Sequence, residues 1–230
     1  MTDSTKEFDA VATRYEEALA EGLNVTGEDS AFYAKERVKA LSLLLGAPTC
    51  GKIRRILDFG CGTGGSRPWV HEQWPDAEYL GYDPSEGSLE VATMRHTQPR
   101  TTWSASTTSL GQFDLVLTNG VFHHIPPTER AAAFEVVRAA LKPNSIFAFF
   151  ENNPWNPGTR YIMSRVEFDR DAITITPREA RSLLHAHGFT PTHFASLFYF
   201  PSSLALLRPL ERWVRSLPLG GQYLYICRLK

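Results

Sequence analysis

Short apolar runs alternating with helical stretches, closely spaced glycines at the end of the first run, and an aspartate ending the second together predict an α/β protein. Such alternation folds as one doubly wound parallel sheet with right-handed crossovers.

The elements follow in order. From Glu7 to about Leu45 the spacing predicts helix, with Phe8, Val11, Ala12 and Tyr15 at helical intervals, a break over Gly22 to Gly27, and a restart capped by Ser30. Gly46 and Pro48 end it. Strands are then predicted at Arg54 to Phe59, Ala77 to Tyr82, Thr101 to Ser104, Phe113 to Thr118 and Ser145 to Glu151. Helices fall between them at Ser66 to Trp74, Ser85 to Arg95 and Pro127 to Leu141, the last followed by a turn over Lys142, Pro143 and Asn144. The polar, proline-rich stretch from Asn152 to Ile175 reads as an insertion near the active end of the sheet. Thr176, Pro177 and Glu179 then form a capping box for a helix closed by Gly188. A strand from Phe189 to Phe200, a helix near Leu204 to Leu217 and a last strand from Gln222 to Arg228 complete the chain. The expected organisation is a helical cap or lid over residues 1–50 and a sheet domain over residues 51–230 with an insertion at 152–176.

Composition narrows the function. The 230 residues are 43 % hydrophobic and 21 % charged, which suits a globular chain with ample core. Lys and Arg number 24 against 25 Asp and Glu, so no basic field attracts nucleic acid or an anionic membrane. Cys50, Cys61 and Cys227 are odd in number and far apart, which suggests neither a disulfide framework nor a metal motif, and a cytoplasmic home is expected. The charged start, with Asp3, Lys6, Glu7 and Asp9, argues against a secretory signal.

The most informative residues are Ile56 to Gly65. An apolar strand runs into Gly60, Cys61, Gly62, Thr63 and Gly64, a turn whose backbone N–H groups can meet a nucleotide-like ligand without side chains in the way. Asp83, before Pro84, ends the next strand, where a carboxylate accepts from both ribose hydroxyls. Gly60, Gly62 and Gly65 also fit the dinucleotide spacing, which leaves a nicotinamide-dependent oxidoreductase as one alternative. Asp58 argues against it, because a carboxylate two residues before the first glycine repels a pyrophosphate and suits a cation.

With these motifs the chain resembles the class I S-adenosylmethionine-dependent methyltransferases of small molecules. Asp58 to Gly64 is similar to the family's glycine motif, Gly81 to Ser85 to its ribose motif, and Phe113 to Val116 to the start of its fourth strand. The resemblance implies a seven-stranded Rossmann-like sheet in the order 3-2-1-4-5-7-6 with the last strand antiparallel. It also implies S-adenosylmethionine as the cofactor and an N-terminal helix whose Tyr15 closes over its methionine end. Ser104 and Ala105 would stand near the adenine, although the acidic residue common there in the family is missing.

Ligands of an open parallel sheet bind beyond the carboxyl ends of its strands. That places Asn119 by the methionine moiety and His123 or His124 by the transferred methyl, either being suited to take a proton from an acceptor. Glu151, Asn152 and Trp155 after the fifth strand, with Tyr33 and Arg37 from the lid, are the expected acceptor residues. No metal is expected, since adjacent histidine side chains should diverge and no third ligand falls at metal spacing. The acceptor would be a small organic molecule methylated on O, N or activated C, with no nucleic acid or membrane partner and with a homo-oligomer left open. The other alternative is a non-catalytic S-adenosylmethionine-binding partner subunit.

Overall fold

The structure is a computed structural model that describes residues 20–108, 110–166, 169 and 172–229; Tyr15 and the first predicted helical segment lie outside the described residues. Seven strands form one sheet: β1 (Arg55–Phe59), β2 (Glu78–Tyr82), β3 (Thr101–Ser104), β4 (Phe113–Asn119), β5 (Leu141–Asn152), β6 (Phe189–Leu197) and β7 (Gln222–Leu229). Their order is β3-β2-β1-β4-β5-β7-β6, as the resemblance implies. β1 to β5 pair in parallel, whereas β7 runs antiparallel to both β5 and β6.

The helices are α1 (Ser30–Leu45), α2 (Ala47–Cys50), α3 (Arg67–Gln73), α4 (Glu86–Arg95), α5 (Arg130–Ala139), α6 (Pro157–Arg165), α7 (Pro177–Ala186) and α8 (Glu211–Val214), with a 3-10 stretch at Ser202–Leu210. Two-residue periodicity in the strands builds two cores, one on each face of the sheet. Phe147, Phe149, Tyr223 and Tyr225 face Phe134 of α5 and Leu184 of α7. Ile146, Ala148, Phe150, Leu224 and Ile226 face the other way, in a core that includes Val38 and Leu41 of α1 and Val70 of α3. β4 and β5 alternate between the two cores because they are central and covered on both faces.

Local chemistry shifts several boundaries. Asp29, not Ser30, caps α1, its carboxylate accepting from Phe32 N at 2.7 Å. β5 starts earlier than expected, with Leu141 opposite Phe113, and the anticipated turn becomes a register shift inside the strand. Asn144 takes a left-handed φ of 63° there. The helix expected from Pro127 begins only at Arg130. Phe198, at φ 63°, ends β6 at Leu197 rather than Phe200. Where one helix was expected over Leu204 to Leu217, Pro209 leaves a 3-10 stretch and the short α8. The Thr176 capping box forms as anticipated. The stretch after Asn152 contains α6, whose start is capped by Asn156 accepting from Thr159 N at 3.0 Å. Among the described residues no helix is long and apolar enough to cross a membrane.

Phe134 is fully buried, with ring centroids 4.4 Å from Phe122, 4.6 Å from His187 and 6.0 Å from Phe189. Phe134→Ala removes the centre of this aromatic cluster and should cost about 3–5 kcal/mol, measured as a shift of the urea midpoint. A cost under about 1 kcal/mol would mean the cluster collapses freely around the void.

Candidate active site

The carboxyl ends of β1, β2, β4 and β5 carry the residues singled out above, and backbone hydrogen bonds lock the loops that follow them. Gly60 N and Cys61 N both donate to Tyr82 O, at 2.7 and 2.9 Å, which pins the turn after β1 to the end of β2. Gly60 has φ 77°, and a Cβ there would stand 2.5 Å from Val121, so two loops approach through it. Gly64, at φ 79°, lies against Trp103, whose ring a Cβ would meet at 2.6 Å. Beside Gly62 and Gly65, by contrast, a Cβ would meet nothing within 4 Å, so the loop borders open space on the side away from the sheet.

Asp83 serves this loop directly. One carboxylate oxygen accepts from Gly62 N at 2.8 Å and the other from Ser85 N at 3.0 Å, while Ser85 caps α4 by accepting from Ser88 N. Pro84 lies between them in the chain. Asp83 N donates to Ser104 O at 3.2 Å, tying β2 to β3. The Ser104 hydroxyl is engaged in its own turn, with Ser106 O and Ser106 N as partners, and Ala105 lies within that turn. Thr63 is buried, and its carbonyl lies 3.1 Å from a ring nitrogen of His96. Burial, reinforced by the Asp58 and Asp83 charges, pushes the Cys61 thiol well above its ordinary range, which makes it a packing residue.

Asp58 is buried and accepts from the Tyr79 hydroxyl at 2.7 Å. Burial pushes its carboxyl up to about 7; the Tyr79 hydrogen bond and the Arg37 charge oppose that rise, and the Asp83 charge adds to it. It is therefore a carboxyl near half-ionised at neutral pH, where a permanently open carboxylate was expected.

The acceptor side differs more from expectation. Glu151 is fully buried and faces inward, accepting from Phe122 N at 2.8 Å and from His123 Nδ1 at 2.5 Å. It orients His123 and does not line the cavity. Trp155 is 49 % exposed and stands off the cavity wall. Asn152 does line it, accepting from Gln222 Nε2 at 2.9 Å, and Gln222 Oε1 in turn accepts from Arg37 at 3.1 Å. Tyr33, Arg37, Asn119, His123 and His124 all border the same cavity, of about 1300 Å³.

The two histidines converge where divergence was expected. Their ring centroids are 4.2 Å apart, and their Nε2 atoms lie 3.6 Å (His123) and 3.4 Å (His124) from Asp169 Oδ1. Burial alone would lower the His123 pKa, but the charge of Glu151, the approach of Asp169 and the Glu151 hydrogen bond outweigh it and raise it to about 10. Asp169 is held at about 2: burial opposes this, and the closeness of the two histidines more than offsets burial. The two carboxylates thus favour the protonated form of His123, which weakens it as the base it was expected to be. His124, one-quarter exposed at its side chain, keeps that geometry open.

Two residues behind this cluster were not evident from the sequence. Asp169 comes from the insertion, where neighbouring Glu167 and Asp171 give no reason to prefer it. Arg130 is buried and donates to the carbonyls of Phe122, Ile125 and Ile173, while Ile173 N donates to His123 O at 2.9 Å. The insertion is thereby strapped to the histidine turn. A proline turn just before Arg130 was the only local signal.

Comparison with known proteins agrees with this architecture. Residues 57–147 match the model of a methyltransferase domain. The chain is 28 % identical over 185 residues to a trans-aconitate 2-methyltransferase of Azoarcus sp., covering 79 % of this chain and 68 % of that one. It is 23 % identical over 214 residues to the trans-aconitate 2-methyltransferase of Escherichia coli strain SE11, covering 85 % and 83 %. A crystal structure of an S-adenosylmethionine-dependent methyltransferase from Mesorhizobium loti shares the fold with a TM-score of 0.59 at 23 % identity, over 84 % of this chain and 96 % of that one. Strand order, glycine turn and relatives agree: the chain has the fold of the S-adenosylmethionine-dependent methyltransferases, and its residues 57–147 are similar to a methyltransferase domain, the activity with which all three comparisons are consistent.

Proposed function

We propose that this enzyme methylates an oxygen of an anionic organic acceptor that has an apolar body, held in the cavity between α1 and the segment joining β6 to β7. The observation that carries the reading is the charge left over on the cavity wall. Lys39 pairs with Glu36 and Arg208 with Glu28, while Glu211 caps the backbone of Tyr199 and Phe200. With these pairs set aside, Arg212 and Arg215 line the cavity without an ion pair among the described residues, and an acceptor carboxylate or enolate complements them. Tyr33 and Phe198, whose rings meet edge to face at 4.8 Å, give the wall its apolar part. The relatives named for trans-aconitate fit an anionic acceptor, but about 1300 Å³ exceeds the roughly 300–1,000 Å³ of an ordinary small-ligand cavity. A bulkier acid suits this chain better.

The residues present fit the cofactor, because the glycine turn borders open space and two carboxylates stand at its base. In this reading Gly60 to Gly64 and Asp58 hold the methionine end, Asp83 the ribose and Ser104 and Ala105 the adenine side. Asn119 lies between the two halves of the site, and Tyr15, outside the described residues, would close it. Bound S-adenosylmethionine supplies a methyl group on a sulfonium, which leaves as a neutral thioether when the acceptor oxygen attacks in line. The protein then has mainly to align the acceptor and exclude water. Arg212 and Arg215 grip its anionic end, the aromatic wall seats its body, and the His124 edge meets its reacting oxygen.

Two outcomes follow. A cationic ligand selects ionised Asp58, whose pKa of about 7 means that a proton must leave first. Cofactor affinity measured by calorimetry should therefore fall up to about tenfold per unit as pH drops below about 7. Asp58→Asn should bind more weakly and show no such slope, and a flat wild-type profile would remove Asp58 from the site. The lower range is chosen because the cofactor's own amino group titrates near about 8.

For the acceptor, a labelled-methyl screen should favour carboxylates over the matching amides. Replacing Arg212 or Arg215 with Met should raise KM for the carboxylate by about tenfold or more, on the order of 1.4 kcal/mol, with kcat little changed. Preference for neutral acceptors would overturn the reading.

A further inference from the structure

We infer that His123, His124 and Asp169 form a three-ligand site for a divalent cation of the zinc class on the floor of the acceptor cavity, with Glu151 bracing His123 from behind. The inference rests on reading this cavity as the acceptor's for its purpose, though not for its existence.

Four observations carry it. First, both Nε2 atoms approach the same Asp169 oxygen, at 3.6 and 3.4 Å, and the three ligand atoms lie within 4.8 Å of one another. With metal–ligand bonds of about 2.0–2.1 Å, tetrahedral ligands stand roughly 3.4 Å apart. The two edges meeting at Asp169 already have nearly that length, and the partly exposed His124 ring can swing to close the third.

Second, His123 Nε2 is buried, aims into the cluster and has no hydrogen-bond partner. A buried polar atom is rarely left so unless something absent from the coordinates meets it. Third, the other ring nitrogen donates to Glu151 at 2.5 Å, so the neutral ring that a cation would need carries its lone pair on Nε2. A carboxylate holding the far nitrogen of a ligating histidine is the recurring arrangement behind metal sites.

Fourth, the ligands are held in advance. Ile173 N bonds the His123 carbonyl, and Arg130 ties the histidine turn to the same strand of the insertion. Two imidazoles and one carboxylate favour zinc, cobalt or ferrous ions over magnesium or calcium, which prefer oxygen alone. All three ligands border the cavity, so the remaining coordination positions face the place where the acceptor oxygen would sit.

The test uses the full-length protein, purified without a metal-affinity tag and dialysed against a chelator, then titrated with Co2+. The expected result is one equivalent bound, with visible absorption of a four- or five-coordinate site that Zn2+ abolishes. His124→Ala and Asp169→Asn should each weaken Co2+ binding by about tenfold or more, and Glu151→Gln by about 10–100-fold. His193→Ala, on the exposed surface of β6, should leave it unchanged. Melting curves check folding; if His124→Ala fails to fold, His124→Gln, which preserves size, takes its place. Folded wild-type protein without the absorption, or binding that survives both His124→Ala and Asp169→Asn, overturns the site. Calorimetry with S-adenosylmethionine on the same samples separates the two readings: intact cofactor binding without metal sinks only the cation, whereas loss of cofactor binding in the wild type sinks the reading of the glycine turn.

Discussion

Glu151 ends the fifth strand inside the protein, fully removed from water, with one oxygen on Phe122 N and the other on His123 Nδ1. A carboxylate at that depth is tolerable only when its charge and lone pairs are met, since desolvating an ion costs several kcal/mol. The requirement propagates outward. It fixes the turn after β4, sets the His123 ring and directs its second nitrogen at Asp169, which draws the insertion down over the sheet. Arg130 completes the clamp by meeting carbonyls on both sides of it. The floor of the cavity is thus organised from beneath, by a group that does not line it.

The cofactor side follows a parallel logic with a different balance. Asp58 and Asp83 end adjacent strands, and each is used twice. Asp83 holds the glycine turn through Gly62 N and reaches the start of α4 through Ser85 N, so the carboxylate proposed for the ribose is also a structural strut. Asp58 leans on Tyr79, deep enough that its charge waits for a cation nearby. Three acidic strand ends around one cleft would repel each other if all were bare; backbone amides, a tyrosine and a histidine keep them apart in role. The chain's near-neutral total charge fits this, because the charges that matter are local.

How much of this was legible in the sequence depended on whether the cause was local. The glycine turn, the Asp83 strand end and the Thr176 capping box are contacts between residues close in sequence or on paired strand ends, and their residue types leave few alternatives. Side-chain direction was not legible in the same way. Glu151 and Trp155 lie four residues apart after one strand, yet the acid turns inward and the aromatic ring outward. Adjacent histidines suggested divergent rings, since neighbouring residues usually point apart; a turn with its own hydrogen bonds brings them together. Asp169 needed a contact across more than forty residues, which nothing near it announces.

By itself the sequence determined the sheet, its order through family resemblance, the glycine turn and the acidic partner at the neighbouring strand end. These rest on periodicity, on backbone conformations open chiefly to glycine and on short-range capping, all properties of a few consecutive residues. Only the tertiary structure decided that Glu151 turns inward onto His123, that two carboxylates flank that ring, and that three residues from two separate loops converge on one point. Those outcomes depend on burial and on distances between segments remote in the chain, because the energy of a charge is set by what surrounds it.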